Sequence, residues 1–367
     1  DATNIPANMQ FWMQMYADEM ANVNTTVPAL LPGQSVVSRS QRVATNEDNY
    51  PVVSPILADV HWGQNKPFNN QCPTISGQKT PTGCVATALA QIMYKHQYPQ
   101  HGVGSHSYVS TTHGISRSAN FEATTYEWAK MLPDYSTSYT TQQANAVATL
   151  LSHLGVSCEM DYAPEGSGAY DNIALRNLTT YFDYDKGLQA LPKDYLTEKY
   201  MLDCIAEDLQ AGRPVYITGS TVNKEGHAFV CDGMQSNGYL HINWGWDGYA
   251  DGYFAVSALD PEIHGTGGSS SGLAFTQRVM AYTGVRPNIG GDSISVITVG
   301  ALNRTSADKI ARTDKIHYEL PVFYNQGIFT ATGHVVGIIY DANDTAIDTI
   351  VIGDVSLPSS YYYTNPY

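Results

Sequence analysis

Apolar residues recur at helical spacing in five stretches, 5–23, 85–94, 141–154, 172–181 and 199–211, and none lies beyond residue 212. After that point the chain carries only short β-branched and aromatic runs, broken by Gly, Asn and Asp. Helices and strands kept apart in this way pack as an α+β domain, whereas alternating units would build a parallel sheet. One hairpin is explicit: runs at 227–231 and 239–244 flank Met234-Gln235-Ser236-Asn237-Gly238, in which Asn237-Gly238 is expected to supply the positive backbone angles of the turn.

The texture changes twice. From residue 24 to residue 50 the pattern lapses into Thr, Ser, Asn, Pro and Gln around Arg39 and Arg42, as in an exposed, protease-accessible linker. Beyond Arg286-Pro287-Asn288, β runs at 293–299, 317–323, 333–340 and 346–352 predict a small all-β sandwich of the immunoglobulin type. Three parts are therefore expected: 1–50, 51–286 and 287–367. A chain of 367 residues with 43% hydrophobic residues can bury more than one core, so more than one domain is in keeping with its size.

Charge narrows the partners. Lys and Arg number 19 against 34 Asp and Glu, a formal charge of −15, with only 14% of residues charged. No basic cluster offers itself to nucleic acid or to an anionic membrane surface. No run of apolar residues is long enough to span a bilayer. Abundant Gly, Tyr, Ser, Thr and Asn match a loop-rich, β-rich secreted protein, and the chain, opening on Asp1, reads as already processed. The five cysteines, Cys72, Cys84, Cys158, Cys204 and Cys231, are odd in number, so at least one is expected to be a free thiol. They form no zinc pattern, and His96, His101, His106 and His113 straddle Pro99, Gly102 and Gly104, which denies them a common helix face. Neither metal nor cofactor is expected.

Two residues carry chemistry. Cys84 falls at the start of a helix behind Pro81-Thr82-Gly83, where unpaired backbone N–H groups and the helix dipole favour a thiolate; a small packed residue is the plain alternative. His227 opens the apolar strand His227-Ala228-Phe229-Val230-Cys231, a place where an imidazole needs a reason. Asn243 and Trp244 follow on the neighbouring strand, where an acceptor for one ring N–H would fix the tautomer and turn the other nitrogen towards a thiol. Cys84 and His227 are 143 residues apart, inside the window of about 130–150 expected of papain-type cysteine proteases. Papain's own cysteine signature is absent.

Another papain-like group does match. Thr82-Gly83-Cys84-Val85-Ala86-Thr87-Ala88, Gln91-Ile92-Met93, Tyr98-Pro99, Gly226-His227-Ala228-Phe229-Val230, Asn243-Trp244-Gly245-Trp246-Asp247-Gly248 and Gly265-Thr266-Gly267-Gly268 closely resemble the streptopain family, which includes interpain. The likeness spans roughly residues 51–286. It implies a papain-like fold, Cys84 as nucleophile, His227 as its base and later acid, and Gln64 as the oxyanion-hole glutamine. Gln78, six residues before Cys84, is the rival for that last role. Asn243 and Trp244 are both candidates for orienting His227. Gly83 and Gly226, with Gly265, Gly267 and Gly268 of a mobile loop over 260–272, are assigned to substrate contact. The resemblance also implies a zymogen whose own prodomain inhibits it. Residues 1–50 would then be the last part of that prodomain and its activation linker.

The expected activity is that of a secreted cysteine endopeptidase acting on proteins or peptides at a bacterial surface, in the periplasm or outside the cell, in the manner of a virulence factor. A transglutaminase or amidase would use the same Cys–His pair, and an adhesin or inhibitor could keep the scaffold without the chemistry. The Gly-His-Ala-Phe-Val and Asn-Trp-Gly-Trp segments speak against the first of these. Intact Cys84, His227 and Gln64 speak against the second.

Overall fold

A computed structural model describes residues 49–367, apart from 262–263, 267–273, 300–302, 305–317, 320–322, 341–344, 360–361 and 364–367. The helix expected at 5–23 and the linker at 24–50 lie outside the described residues, save for Asn49 and Tyr50.

Two short strands, β1 (Thr74–Ile75) and β2 (Gln78–Lys79), precede helix α1 (Cys84–His96). The hairpin β3 (Ser105–Val109) and β4 (Ser116–Asn120) follows, then α2 (Thr141–Ser157) and α3 (Asp171–Tyr181). Thr140 caps α2 through a reciprocal pair with Gln143: its hydroxyl accepts from the Gln143 N–H, and the Gln143 side chain accepts from the Thr140 N–H. Next come β5 (Gln189–Pro192), α4 (Glu198–Gln210), β6 (Val215–Ser220), β7 (Gly226–Met234), β8 (Leu240–Asn243), β9 (Gly252–Phe254) and β10 (Gln277–Thr283). β5 and the five strands that follow it form one antiparallel sheet in the order β5-β10-β6-β7-β8-β9.

That sheet is covered on both faces, which explains why β7 reads as a continuous apolar run. Alternate residues point to opposite sides. Tyr216, Ala228 and Val230 join the core of α1, α2 and α3, while Ile217, Phe229 and Cys231 join that of Met201, Leu202, Ile205 and Leu209 on α4. Helix α1 is apolar around most of its circumference because it is enclosed: every residue from Val85 to Met93 is buried. Each such aliphatic side chain contributes about 1.5–3 kcal/mol. The hairpin between β7 and β8 turns where expected, but only Gly238 takes a positive φ, of 83°. Asn237 acts through its side chain, whose oxygen accepts from the Tyr239 N–H at 3.1 Å.

The remaining strands are β11 (Ile297–Val299), β12 (Asn303–Arg304), β13 (Tyr318–Glu319), β14 (Phe323–Asn325), β15 (Ala331–Tyr340), β16 (Ala346–Leu357) and β17 (Tyr362–Tyr363). They form the sheet β11-β14-β17 and the pairs β12-β13 and β15-β16, all antiparallel. The run read at 317–323 is thus divided between β13 and β14. The chain just past residue 287 is fastened to the part before it. Asp185, fully buried, accepts from the N–H groups of Ile289 at 2.8 Å and Gly291 at 3.0 Å, and Ile328 packs into the core that contains α1.

Candidate active site

Gly83 sits immediately before α1 with φ 88°, and a Cβ there would stand 2.5 Å from Met160 Sδ and 3.0 Å from the Ser167 carbonyl. Only glycine meets both demands, the left-handed backbone and the close approach. Cys84 is consequently the first residue of a buried helix. Its sulfur accepts from its own N–H, from that of Val85 and from that of Ala228, the residue after His227. The nucleophile candidate and the start of β7 are therefore in direct contact.

The helix terminus does not by itself make a thiolate. Burial pushes the Cys84 thiol up to about 11, the hydrogen bond from Ala228 opposes this, and the Asp171 carboxylate raises it further. The N–H groups favour the thiolate as expected, but desolvation outweighs them, so ionisation needs a basic partner.

His227 is buried and boxed by aromatic rings. Trp246 stacks on it at 4.8 Å between ring centres, with Phe275 at 5.3 Å and Phe229 at 5.9 Å. Its Nε2 lies 2.9 Å from the main-chain oxygen of Trp244. A carbonyl can only accept, so Nε2 carries the proton and Nδ1 is the basic nitrogen of the neutral ring. The orienting group is thus a Trp244 backbone atom. The Asn243 amide does not do this directly: its Nδ2 donates to the Val60 carbonyl at 2.7 Å and its Oδ1 accepts from the Gly245 N–H at 3.0 Å. Yet Gly245 N–H and Trp244 C=O belong to one peptide group. Asn243 therefore holds the peptide whose oxygen holds His227, and Asp251 fixes the preceding one by accepting from the Trp244 N–H at 2.9 Å. Replacement Asn243→Ala would strand two buried main-chain groups, so a loss of about 1–3 kcal/mol for each is expected in urea unfolding. An unfolding midpoint equal to that of the parent would contradict this arrangement.

The segment that carries Gln64 is tethered by two main-chain hydrogen bonds. The Gln64 carbonyl accepts from the Thr82 N–H at 3.0 Å, and the neighbouring Trp62 carbonyl accepts from the Asp247 N–H at 3.1 Å, so this segment bridges the Cys84 and Trp244 sides. The side chain is buried, and its Nε2 donates to the Thr266 carbonyl at 2.6 Å. The rival Gln78 lies exposed on β2. Gly226 is exposed at the head of β7, and a Cβ on Gly265 would strike the Trp246 ring at 2.4 Å. Gly267 and Gly268 lie outside the described residues. The histidine series is dispersed: His96 meets the Val285 carbonyl, His101 that of Thr124, and His106 meets Glu159. Among the described residues no group of three His, Cys, Asp or Glu side chains could hold a metal ion.

Phe275, Trp246, Asp251 and Asp171 add to these residues and lie outside the set that the sequence singles out. Trp246 and Asp251 stand in or beside the Asn-Trp-Gly-Trp segment and could have been found there. Phe275 and Asp171 carry no local signal.

Residues 62–254, just over half of the chain, match the Peptidase C10 family. This chain belongs to that family. Among relatives of this C10 family member, the thiol protease/hemagglutinin PrtT of Porphyromonas gingivalis is 33% identical over 299 residues, covering 78% of this chain and 33% of that protein. Streptopain of Streptococcus pyogenes is 34% identical over 262 residues, covering 66% of this chain and 65% of that one. The chain thus spans about a third of the first relative and just under two thirds of the second. The structure of active interpain A cysteine protease from Prevotella intermedia matches with a TM-score of 0.59 and 36% identity, over 65% of this chain and 97% of that one. A prointerpain A fragment carrying a cysteine-to-alanine mutation matches with 0.55 and 32%, over 77% and 85%. The papain-like α+β fold expected from the sequence is that of these C10 neighbours.

Proposed function

We propose that this chain is a cysteine endopeptidase that cleaves peptide bonds through a thioacyl intermediate on Cys84. The observation that carries the reading is the contact of the Cys84 sulfur with the Ala228 N–H, beside a His227 whose proton is committed to the Trp244 carbonyl. The basic Nδ1 takes the thiol proton, and the sulfur attacks the substrate carbonyl. The imidazolium then protonates the leaving amine. Water, deprotonated by the same nitrogen, releases the acyl group and regenerates the thiol. The Gln64 amide and the Cys84 N–H stabilise the oxyanion of each tetrahedral intermediate. A transglutaminase or dead-scaffold reading gains no comparable support.

The likeness to prointerpain A supports a zymogen, with residues 1–50 as the end of an inhibitory prodomain and its cleavable linker. Secretion fits the low charge, and no helix among the described residues is long and apolar enough to cross a membrane. The strands after residue 287 serve as an accessory module. The test is labelling of the processed protein with an epoxide-type cysteine protease inhibitor, followed by peptide mapping and amino-terminal sequencing. A stoichiometric adduct on Cys84, in a chain shortened within 24–50, is expected. No adduct on Cys84 in a folded, processed sample would defeat the proposal.

A further inference from the structure

A glutamine can serve an oxyanion only if its amide turns NH2, not oxygen, towards the reacting carbonyl, and the two ends of an amide are nearly identical in shape. Something must choose between them. Gln64 is buried, and among the described residues its Oε1 accepts no hydrogen bond, so the choice is made at the nitrogen. Nε2 donates to the main-chain oxygen of Thr266 at 2.6 Å. Because a carbonyl only accepts, reversing the amide would set two oxygens against each other.

Thr266 is exposed, yet it is fixed from two sides. Its hydroxyl accepts from Asn65 Nδ2 at 2.9 Å, so two consecutive side chains, those of Gln64 and Asn65, grip its carbonyl and its hydroxyl. On the other side Gly265 lies against Trp246, where a Cβ would stand 2.4 Å from the ring carbon Cγ. His264 stacks on Trp246 at 5.6 Å between ring centres and on Phe275 at 4.7 Å, and these same two rings flank His227. Residues 264–266 therefore join the aromatic box of the base to the donor for the oxyanion. A hydrogen bond between exposed side chains adds little stability, but this one fixes the direction of the carbonyl that holds Gln64.

We propose that Thr266 is a positioning residue for the oxyanion: its carbonyl holds the Gln64 amide with NH2 towards Cys84, and its hydroxyl, held by Asn65, keeps that carbonyl in place. The proposal rests on the endopeptidase reading above, in which Gln64 supplies one oxyanion donor. One N–H of the amide is committed to Thr266, and the other is left for the substrate oxygen. Gly265 and His264 seat the same stretch on the rings beside His227, so one short segment sets both the base and the donor. Disturbing Thr266 should then weaken only those steps that place negative charge on a carbonyl oxygen.

The experiment treats the processed full chain with a fluorogenic peptide, with a peptide aldehyde and with iodoacetamide. Addition of the Cys84 thiol to the aldehyde carbonyl gives a reversible hemithioacetal whose oxygen takes the oxyanion position, whereas alkylation displaces iodide and makes no oxyanion. Thr266→Val, which keeps the shape and removes the acceptor, is expected to lower kcat about three- to tenfold with KM little changed, and to weaken aldehyde binding by the same factor. Asn65→Ala does the same, and the two combined are no worse than either alone, since both remove one bond. Thr266→Ser restores the parent values. Alkylation of Cys84 keeps the parent rate in every variant, which a general disturbance of the site would not allow. In a Gln64→Ala background Thr266→Val has no further effect on kcat. Unaltered kcat in both Thr266→Val and Asn65→Ala, an equal fall in alkylation, or a full effect of Thr266→Val in the absence of Gln64 overturns the inference. Epoxide labelling separates the two readings: a Cys84 adduct without these losses in kcat sinks the positioning role alone, and an unlabelled parent sinks the endopeptidase reading and the positioning role with it.

Discussion

His227→Ala is expected to lower kcat/KM at pH 7 by about 10⁴. The figure follows from Cys84, whose thiol burial holds at about 11. With no imidazole to take its proton, about one thiol in 10⁴ is ionised at pH 7, since the thiolate fraction falls tenfold for each unit below the pKa. The sign fixes a second observable. Because the thiolate is the reactive form, residual activity and alkylation of Cys84 by iodoacetamide should each rise about tenfold per pH unit above neutrality, levelling only near that pKa. The parent, in which Nδ1 accepts the proton, shows no such climb. His227→Gln serves as a companion, as it fills more of the box made by Trp246, Phe275 and Phe229. Equal alkylation rates at pH 7 for parent and variants would remove His227 from the role of base.

Gln64→Ala is expected to lower kcat by about 10²–10³, the cost of one oxyanion donor, with KM little changed. The side chain is enclosed, and its amide already donates to an oxygen, the Thr266 carbonyl at 2.6 Å. One N–H is committed to that carbonyl, which leaves the second N–H of the amide to meet a developing negative charge. Substrate carbonyl oxygen and oxyanion differ in charge at nearly the same place, so the loss falls on kcat rather than on KM. Gln64→Glu should be worse than Gln64→Ala, because a carboxylate repels both the oxyanion and the Cys84 thiolate. Gln78→Ala is the control: that side chain lies exposed on β2, and its loss should leave kinetics as they were. A fall in kcat of less than threefold for Gln64→Ala would place the oxyanion elsewhere.

Much of this protein was legible in its sequence, for reasons that are local. Helices α1 to α4 declare themselves by apolar period, and their limits at Cys84–His96, Thr141–Ser157, Asp171–Tyr181 and Glu198–Gln210 differ from the expected runs by no more than three residues. Gly83 and the segments around Cys84 and His227 mark the candidate pair, because a cysteine at a helix start and a histidine at a strand head leave fixed marks in the residues beside them. The family follows from the same marks.

Three decisions belong to the tertiary structure alone. The group that orients His227 is a main-chain carbonyl, and since every residue has one whatever its side chain, nothing in the sequence could favour the Trp244 carbonyl over the Asn243 amide. The resemblance already pointed to Gln64 over Gln78, but the burial of that side chain depends on contacts made by Thr82 and Asp247, distant in the chain, which clamp its segment in place. Finally, the acidity of Cys84 and the presence of Asp171 beside it depend on burial by separate segments and on a carboxylate that the fold delivers from α3. Desolvation and Coulomb interaction act through space. Periodicity and motif, which act along the chain, carry no record of either.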